Sequence, residues 1–150
     1  MLTNDVEAIR ALVHRYAELI DLGDLDGVAA LFTHGTWSSP GRGTPLRGVE
    51  QVRRAYDGVI LYDGIPSTKH VISNVTIEVT DDRRSASARS YFTVLQGRPD
   101  FPLQPVIAGR YHDRFERVDD TWHFADRQII PDLIGDLSHH LRDTAVLEGS

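Results

Sequence analysis

The sequence predicts an α+β domain in which helices come first and a curved, mainly antiparallel sheet follows, enclosing a cavity. Three observations carry this reading. Apolar residues recur at helical spacing three times before residue 61, and from Lys69 onward the period switches to two. The connections between the later segments are also short, as hairpins require and βαβ crossovers do not allow. A long twisted sheet must curl, and helices gathered ahead of it cover its concave side, so the expected shape is a cone.

The first helix is predicted over about Asp5 to Leu22, with Asn4 and Glu7 as a capping pair. Ile9, Leu12, Val13, Tyr16, Leu19 and Ile20 form its apolar face, which turns the Tyr16 phenol inward. Leu22-Gly23 ends it, and Asp24 is placed to cap a second helix through Val28, Ala29 and Phe32. Asp21 has no such local task. A helix C-terminus disfavours negative charge by up to about 1 kcal/mol, so this carboxylate needs another reason to be there.

Gly35 and Trp37 suggest a brief strand leading into a Ser-Ser-Pro-Gly loop, and Gly48 opens a third helix with Val49, Val52, Arg53, Tyr56 and Ile60 on one side. Strands are predicted at about Lys69–Thr80, Ser85–Gly97, Val106–Val118 and Thr121–Ile130, with a loop from Pro99 to Pro105. In the first of them Val71, Val75, Ile77 and Val79 face one way, and His70, Ile72, Asn74 and Thr76 the other. The valine-rich side has no cover within one domain, which predicts a homo-oligomer through the outer face of the sheet. Pro131 to Leu141 reads as a short lid helix, and residues 142–150 as a frayed tail.

With 150 residues, 41% hydrophobic and 25% charged, residues 1–150 are expected to form one domain. A formal net charge of -6 without a basic run argues against nucleic acid or an anionic membrane as partner and favours a small hydrophobic molecule. The absence of cysteine excludes a disulfide framework, a thiolate metal site and a cysteine nucleophile. The N-terminus lacks the pattern of a secretory signal and no long apolar span occurs, so a cytoplasmic protein is expected. The histidines show no metal-ligand spacing and no glycine elbow surrounds a serine, so neither a metal nor a cofactor is expected.

The run Tyr-Ala-x-x-x-Asp-x-Gly-Asp-x-Asp-Gly-x-x-x-Leu-Phe from Tyr16 is followed by His-x-x-x-Asn from His70, Gly-Arg-Tyr-x-Asp-x-Phe-x-Arg from Gly109 and Trp-x-Phe-x-x-Arg from Trp122. Together these resemble the SnoaL-like branch of the nuclear transport factor 2 (NTF2) fold over nearly the whole chain. Within it the bile-acid 7α-dehydratases supply a pattern that falls on Tyr16, Asp21, His70 and Arg127, and scytalone dehydratase and the lindane dehydrochlorinase share the Asp and His. The resemblance implies a cofactor-independent dehydratase or isomerase acting by proton abstraction on a hydrophobic, hydroxylated carbonyl substrate, polycyclic ones included. It also leans the oligomer towards a trimer over a dimer.

The residues themselves support the same chemistry. A cavity-facing histidine is a general base near neutral pH, a carboxylate on its other ring nitrogen fixes the tautomer, and a buried phenol donates to a developing enolate oxygen. Trp37 and Asn74 complete the candidate set as substrate contacts. Each residue also has a plainer reading: Tyr16 as a core tyrosine, Asp21 binding a turn amide, His70 as a structural histidine. Arg127 is out of phase with Trp122 and Phe124, so it faces the cavity only if a β-bulge intervenes, and otherwise pairs with a carboxylate at the surface or an interface. The alternative function is a non-catalytic ligand-binding or partner-subunit module of the same fold.

Overall fold

A computed structural model describes residues 4–143. The order is α1 (Asn4–Asp21), α2 (Leu25–Ala30), β1 (Thr36–Ser38), β2 (Leu46–Arg47), α3 (Gly48–Ala55), β3 (Thr68–Val79), β4 (Ser85–Arg98), β5 (Phe101–Val118) and β6 (Thr121–Ile134). One six-stranded sheet runs β2-β1-β6-β5-β4-β3, antiparallel except where β1 lies parallel to β6. The helices pack on its concave face, as the apolar spacing predicts. Ile9, Val13, Tyr16, Leu19 and Ile20 of α1 are buried against Phe92, Val94, Phe115 and Phe124 of the sheet in one core.

The end of α1 positions the site. Gly23 adopts a left-handed φ of 76°, and its N–H bonds to Ile20 O while that of Asp24 bonds to Leu19 O, both at 2.9 Å. This Schellman closure satisfies the terminal carbonyls, and a side chain at Gly23 would meet Gly64 O at 1.9 Å. Asp24 then caps α2 as predicted, accepting from Gly27 N at 2.8 Å.

Several expectations are corrected by the pairing. Asn4 already belongs to α1, and Glu7 takes Arg10 at 3.4 Å, so their capping pair does not form. α3 ends at Ala55; Val49 is 42% exposed, and Val59, not Ile60, joins the core. The Pro99–Pro105 loop is mostly the start of β5, paired with β4 from Phe101. The predicted lid helix is likewise absent. Pro131 to Ile134 extend β6, and the chain then turns at Leu137–His140, where the N–H groups of His140 and Leu141 bond to Leu137 O at 2.9 Å. Of the predicted tail, everything from residue 144 lies outside the described residues.

Two of the sheet's bulges decide how the residues singled out in β3 and β6 face. In β3 the register shifts between Ser73 and Thr76, with Asn74 at a φ of 53°. One extra residue inverts the alternation, so His70 and Ile72 point inward before it, and Ile77 and Val79 pack against the core after it. The continuous outward stripe of Val71, Val75, Ile77 and Val79 therefore does not exist; of these, Val71 is the exposed one, at 46%. In β6 the shift between Phe124 and Asp126 brings Trp122, Phe124 and Arg127 all inward. The conflict of phase noted in the sequence is resolved by a bulge at Ala125.

Candidate functional site

Asp21, the last residue of α1, lies against the first residues of β3. Its carboxylate accepts three hydrogen bonds: from Thr68 Oγ1 at 2.8 Å, from the His70 backbone N–H at 2.8 Å and from His70 Nδ1 at 2.7 Å. A carboxylate clamped by both the main chain and the ring of one residue fixes that ring's rotation. Burial raises the Asp21 pKa, but the hydrogen bonds and charge of His70, with Thr68, outweigh it and hold the carboxyl below its ordinary value. Asp21 is thus an anion at neutral pH and accepts the Nδ1 proton. The ring nitrogen left for chemistry is Nε2.

Across the same cavity stand three phenols, Tyr16, Tyr56 and Tyr111. Tyr16 and Tyr56 share a short hydrogen bond through their hydroxyls, and Trp37 Nε1 donates to the Tyr56 hydroxyl at 3.0 Å. Each hydroxyl has one proton to give. If Tyr56 donates to Tyr16, the Tyr16 proton is free; if Tyr16 donates, Tyr56 accepts twice and keeps its own proton. Either way one O–H remains to donate to a ligand. Burial raises all three phenol pKa values, Tyr56 and Tyr111 well above the ordinary tyrosine range, so all are protonated at neutral pH.

A further polar group comes from the turn after β6. His140 is 7% exposed, its ring centroid lies 6.5 Å from that of His70, and its Nδ1 has no hydrogen-bond partner. Burial, with His70 beside it, pushes its pKa from 6.5 down to about 4, so it is neutral. The turn is tied to the α3–β3 connection by Ile60 N–H donating to His140 O and Arg142 N–H to Gly58 O, both at 2.9 Å. The segment therefore walls the cavity without forming the predicted helix.

Tyr16, Tyr56, Tyr111, His70 and His140 line a chamber of about 120 Å³ whose other walls include Ile20, Val59, Phe92, Val94, Ile129 and Leu137. A comparable cavity of about 150 Å³ is known to take benzene, so about one ring fits inside. Trp37, Ser39, Arg42 and Ala55 also line an adjoining outer cavity of 570 Å³.

The predicted residues thus divide. Tyr16, His70 and Trp37 reach the chamber, and Asp21 stands behind His70. The Trp37 N–H is committed to Tyr56, so this residue offers a ligand its ring face only. Arg127 is fully buried but lies behind Tyr16, with Nε and Nη2 on Asp113 at 2.8 and 2.9 Å and its guanidinium 4.3 Å from the Tyr16 ring centroid. Its carboxylate partner was anticipated; the location in the core was not. Desolvation opposes its charge, yet Asp113 raises its pKa, and it stays a cation. Asn74 is exposed on the β3 bulge, away from the chamber, where a left-handed φ and not a ligand explains the residue type. Tyr56 and His140 were missed. Tyr56 sat on a predicted apolar stripe just as Tyr16 did, which was the available signal, whereas nothing local marks His140. Among the described residues no three potential ligand side chains converge to hold a metal, and no helix is long and apolar enough to cross a membrane.

The SnoaL-like domain family matches residues 2–128. The chain belongs to this family. Solved structures agree on a cystatin-like, NTF2-like fold. An NTF2-like protein with a cystatin-like fold from Novosphingobium aromaticivorans is 21% identical, covering 97% of this chain and 90% of its own, with a TM-score of 0.74. A cystatin-like protein of unknown function from Nostoc punctiforme is 23% identical over 91% of this chain and 98% of its own, with a TM-score of 0.74. A protein of N. aromaticivorans named as a proposed scytalone dehydratase is 21% identical over 88% of this chain and 87% of its own, with a TM-score of 0.69. At these identities the likeness shows the fold. Comparison with functionally curated proteins finds no match.

Proposed function

We propose that this SnoaL-like protein is a lyase of the dehydratase type, or an isomerase, that works by proton abstraction next to a carbonyl without an added cofactor. The observation that carries the reading is the joining of a 2.7 Å Asp21–His70 pair and a phenol donor in one small apolar chamber. His70 Nε2 takes the α-proton, Asp21 stabilises the imidazolium, and the spare Tyr16–Tyr56 proton is donated to the enolate oxygen. In dehydration the enolate electron pair then forms the C=C bond as the β C–O bond breaks. The imidazolium proton leaves with the hydroxyl group as water. In isomerisation the same proton returns to a different carbon. The dehydratase name of one structural neighbour is in keeping with this. A carboxylate on the Nδ1 side of a cavity histidine is the arrangement a general base needs, so the contact favours catalysis over the binding-module alternative. Since the chamber holds about one ring, further rings of a polycyclic substrate must extend into the outer cavity.

The test is incubation in D₂O with a panel of cyclic β-hydroxy ketones, followed by NMR for α-deuterium and released alkene. Exchange by the parent that His70→Gln abolishes supports the reading. Binding of the same ketones with neither exchange nor elimination rejects it for the binding module.

We further propose a cytoplasmic homo-oligomer, trimer ahead of dimer. Its apolar contact would be Val71, Tyr91 and Leu133, which are 46%, 51% and 70% exposed on the outer face. A monomer in sedimentation at micromolar concentration would reject the oligomer.

A further inference from the structure

The Gly41-Arg42-Gly43 stretch takes no part in the proton chemistry, yet Arg42 lines both the outer cavity and the inner chamber. The two spaces share four wall residues, so a ligand whose ring sits beside His70 has its remaining length in the outer cavity. The charged residues of that outer cavity are Arg42 and Arg54, and no Asp or Glu lines it. In a chain of formal net charge -6 a cavity of one positive sign runs against the overall composition. The two arginines are not equivalent. Arg54 is paired with Glu50 at 2.8 Å, whereas Arg42 has no carboxylate partner among the described residues, and its guanidinium rests 5.3 Å from the centre of the Trp37 ring. The Trp37 ring is in turn held by its bond to Tyr56. Stacking on a fixed indole restrains a long side chain that otherwise loses rotamer freedom on binding, and it leaves the guanidinium N–H groups for a ligand.

We propose that Arg42 is the anchor for an anionic tail on the substrate, which is therefore a cyclic ketone bearing a carboxylate and not an uncharged one. Its ring occupies the inner chamber beside His70 and the Tyr16–Tyr56 pair, and its carboxylate lies in the outer cavity on Arg42. The proposal rests on the inner chamber being the substrate site. It adds the substrate class and a specificity-determining residue outside the proton-transfer machinery.

Phenylbutyrate and phenylbutanol test it, since they share a single ring and chain and differ in the terminal charge. Titration calorimetry at low ionic strength should show the parent binding phenylbutyrate about fivefold more tightly, the upper end for a partly exposed ion pair. Added salt should shrink the gap. Arg42→Gln should erase the difference between the two probes, while Arg54→Gln should keep the preference. Equal binding of both probes by the parent, or a preference that survives Arg42→Gln, overturns the proposal and leaves the proton-abstraction reading standing. Binding of neither probe overturns the Arg42 anchor, and the deuterium-exchange test decides the proton-abstraction reading separately. A preserved preference for the acid in a protein that exchanges no α-proton keeps the Arg42 anchor as a binding determinant and rejects the catalytic reading alone.

Discussion

Replacing Asp21 by Asn is the sharpest probe of the site, because three donors converge on two carboxylate oxygens. Asparagine offers one acceptor oxygen and one NH₂, so the amide must aim its donor at a donor. With the NH₂ in the Oδ2 position it faces the His70 backbone N–H, and one buried donor is orphaned. That costs about 1–3 kcal/mol. With the NH₂ in the Oδ1 position it faces His70 Nδ1, which must then become the acceptor, and the ring proton moves to Nε2. The base is lost, and turnover falls by up to about four orders of magnitude, as in a buried Asp-His pair of a hydrolase triad. Urea unfolding followed by tryptophan fluorescence reads the first outcome. Long-range ¹H–¹⁵N spectra of the imidazole read the second without needing a substrate. Acid titration adds a check of sign. The folded Asp21 pKa lies below its ordinary value, so its stabilisation is present at neutral pH and is lost as pH falls through that lowered pKa, and the Asn variant lacks this limb. A variant that keeps both the parent's urea midpoint and its His70 tautomer would refute the argument.

Three further outcomes are expected. Changing Tyr16 and Tyr56 together to Phe removes the hydrogen-bonded phenol pair, leaves Tyr111 as the remaining phenol of the chamber and should lower kcat by about 10²–10³, whereas Tyr16→Phe alone leaves Tyr56 to donate and should cost less; singles as severe as the double would contradict the proton inventory. Arg127→Leu strands a fully buried Asp113 and should destabilise by about 3–5 kcal/mol, while adding Asp113→Leu should recover most of the loss in thermal unfolding. No recovery would show that the pair does more than neutralise itself. For His140, with a folded pKa of about 4 against 6.5, the unfolded chain binds the extra proton between those values. Stability should therefore fall as pH drops through that window, by on the order of 3 kcal/mol, and His140→Phe should flatten the decline. An unchanged slope in the variant would assign the acid sensitivity elsewhere.

The sequence by itself determined what depends on neighbours along the chain. The apolar stripe of α1, the Leu22-Gly23-Asp24 closure and the Asp24 cap are local interactions, and they identified Asp21 as a helix-end carboxylate without a local partner. The alternation from Lys69 onward likewise defined four strands, and the spaced motifs carried the family. What failed to read was whatever depends on pairing between strands. A bulge at Asn74 or Ala125 adds one residue relative to a partner strand, so the facing of Ile77, Val79 and Arg127 follows the register of β4 and β5 and not their own spacing. Leu133, Ile134, Leu137 and Leu141 satisfy a helical spacing, yet β5 is long enough to hold the first two in a strand, where they stay exposed. His140 reaches His70 because the turn after β6 folds back and is pinned by main-chain bonds to Gly58 and Ile60. Those residues are some eighty positions earlier, and contacts at that separation leave no periodicity in a single sequence.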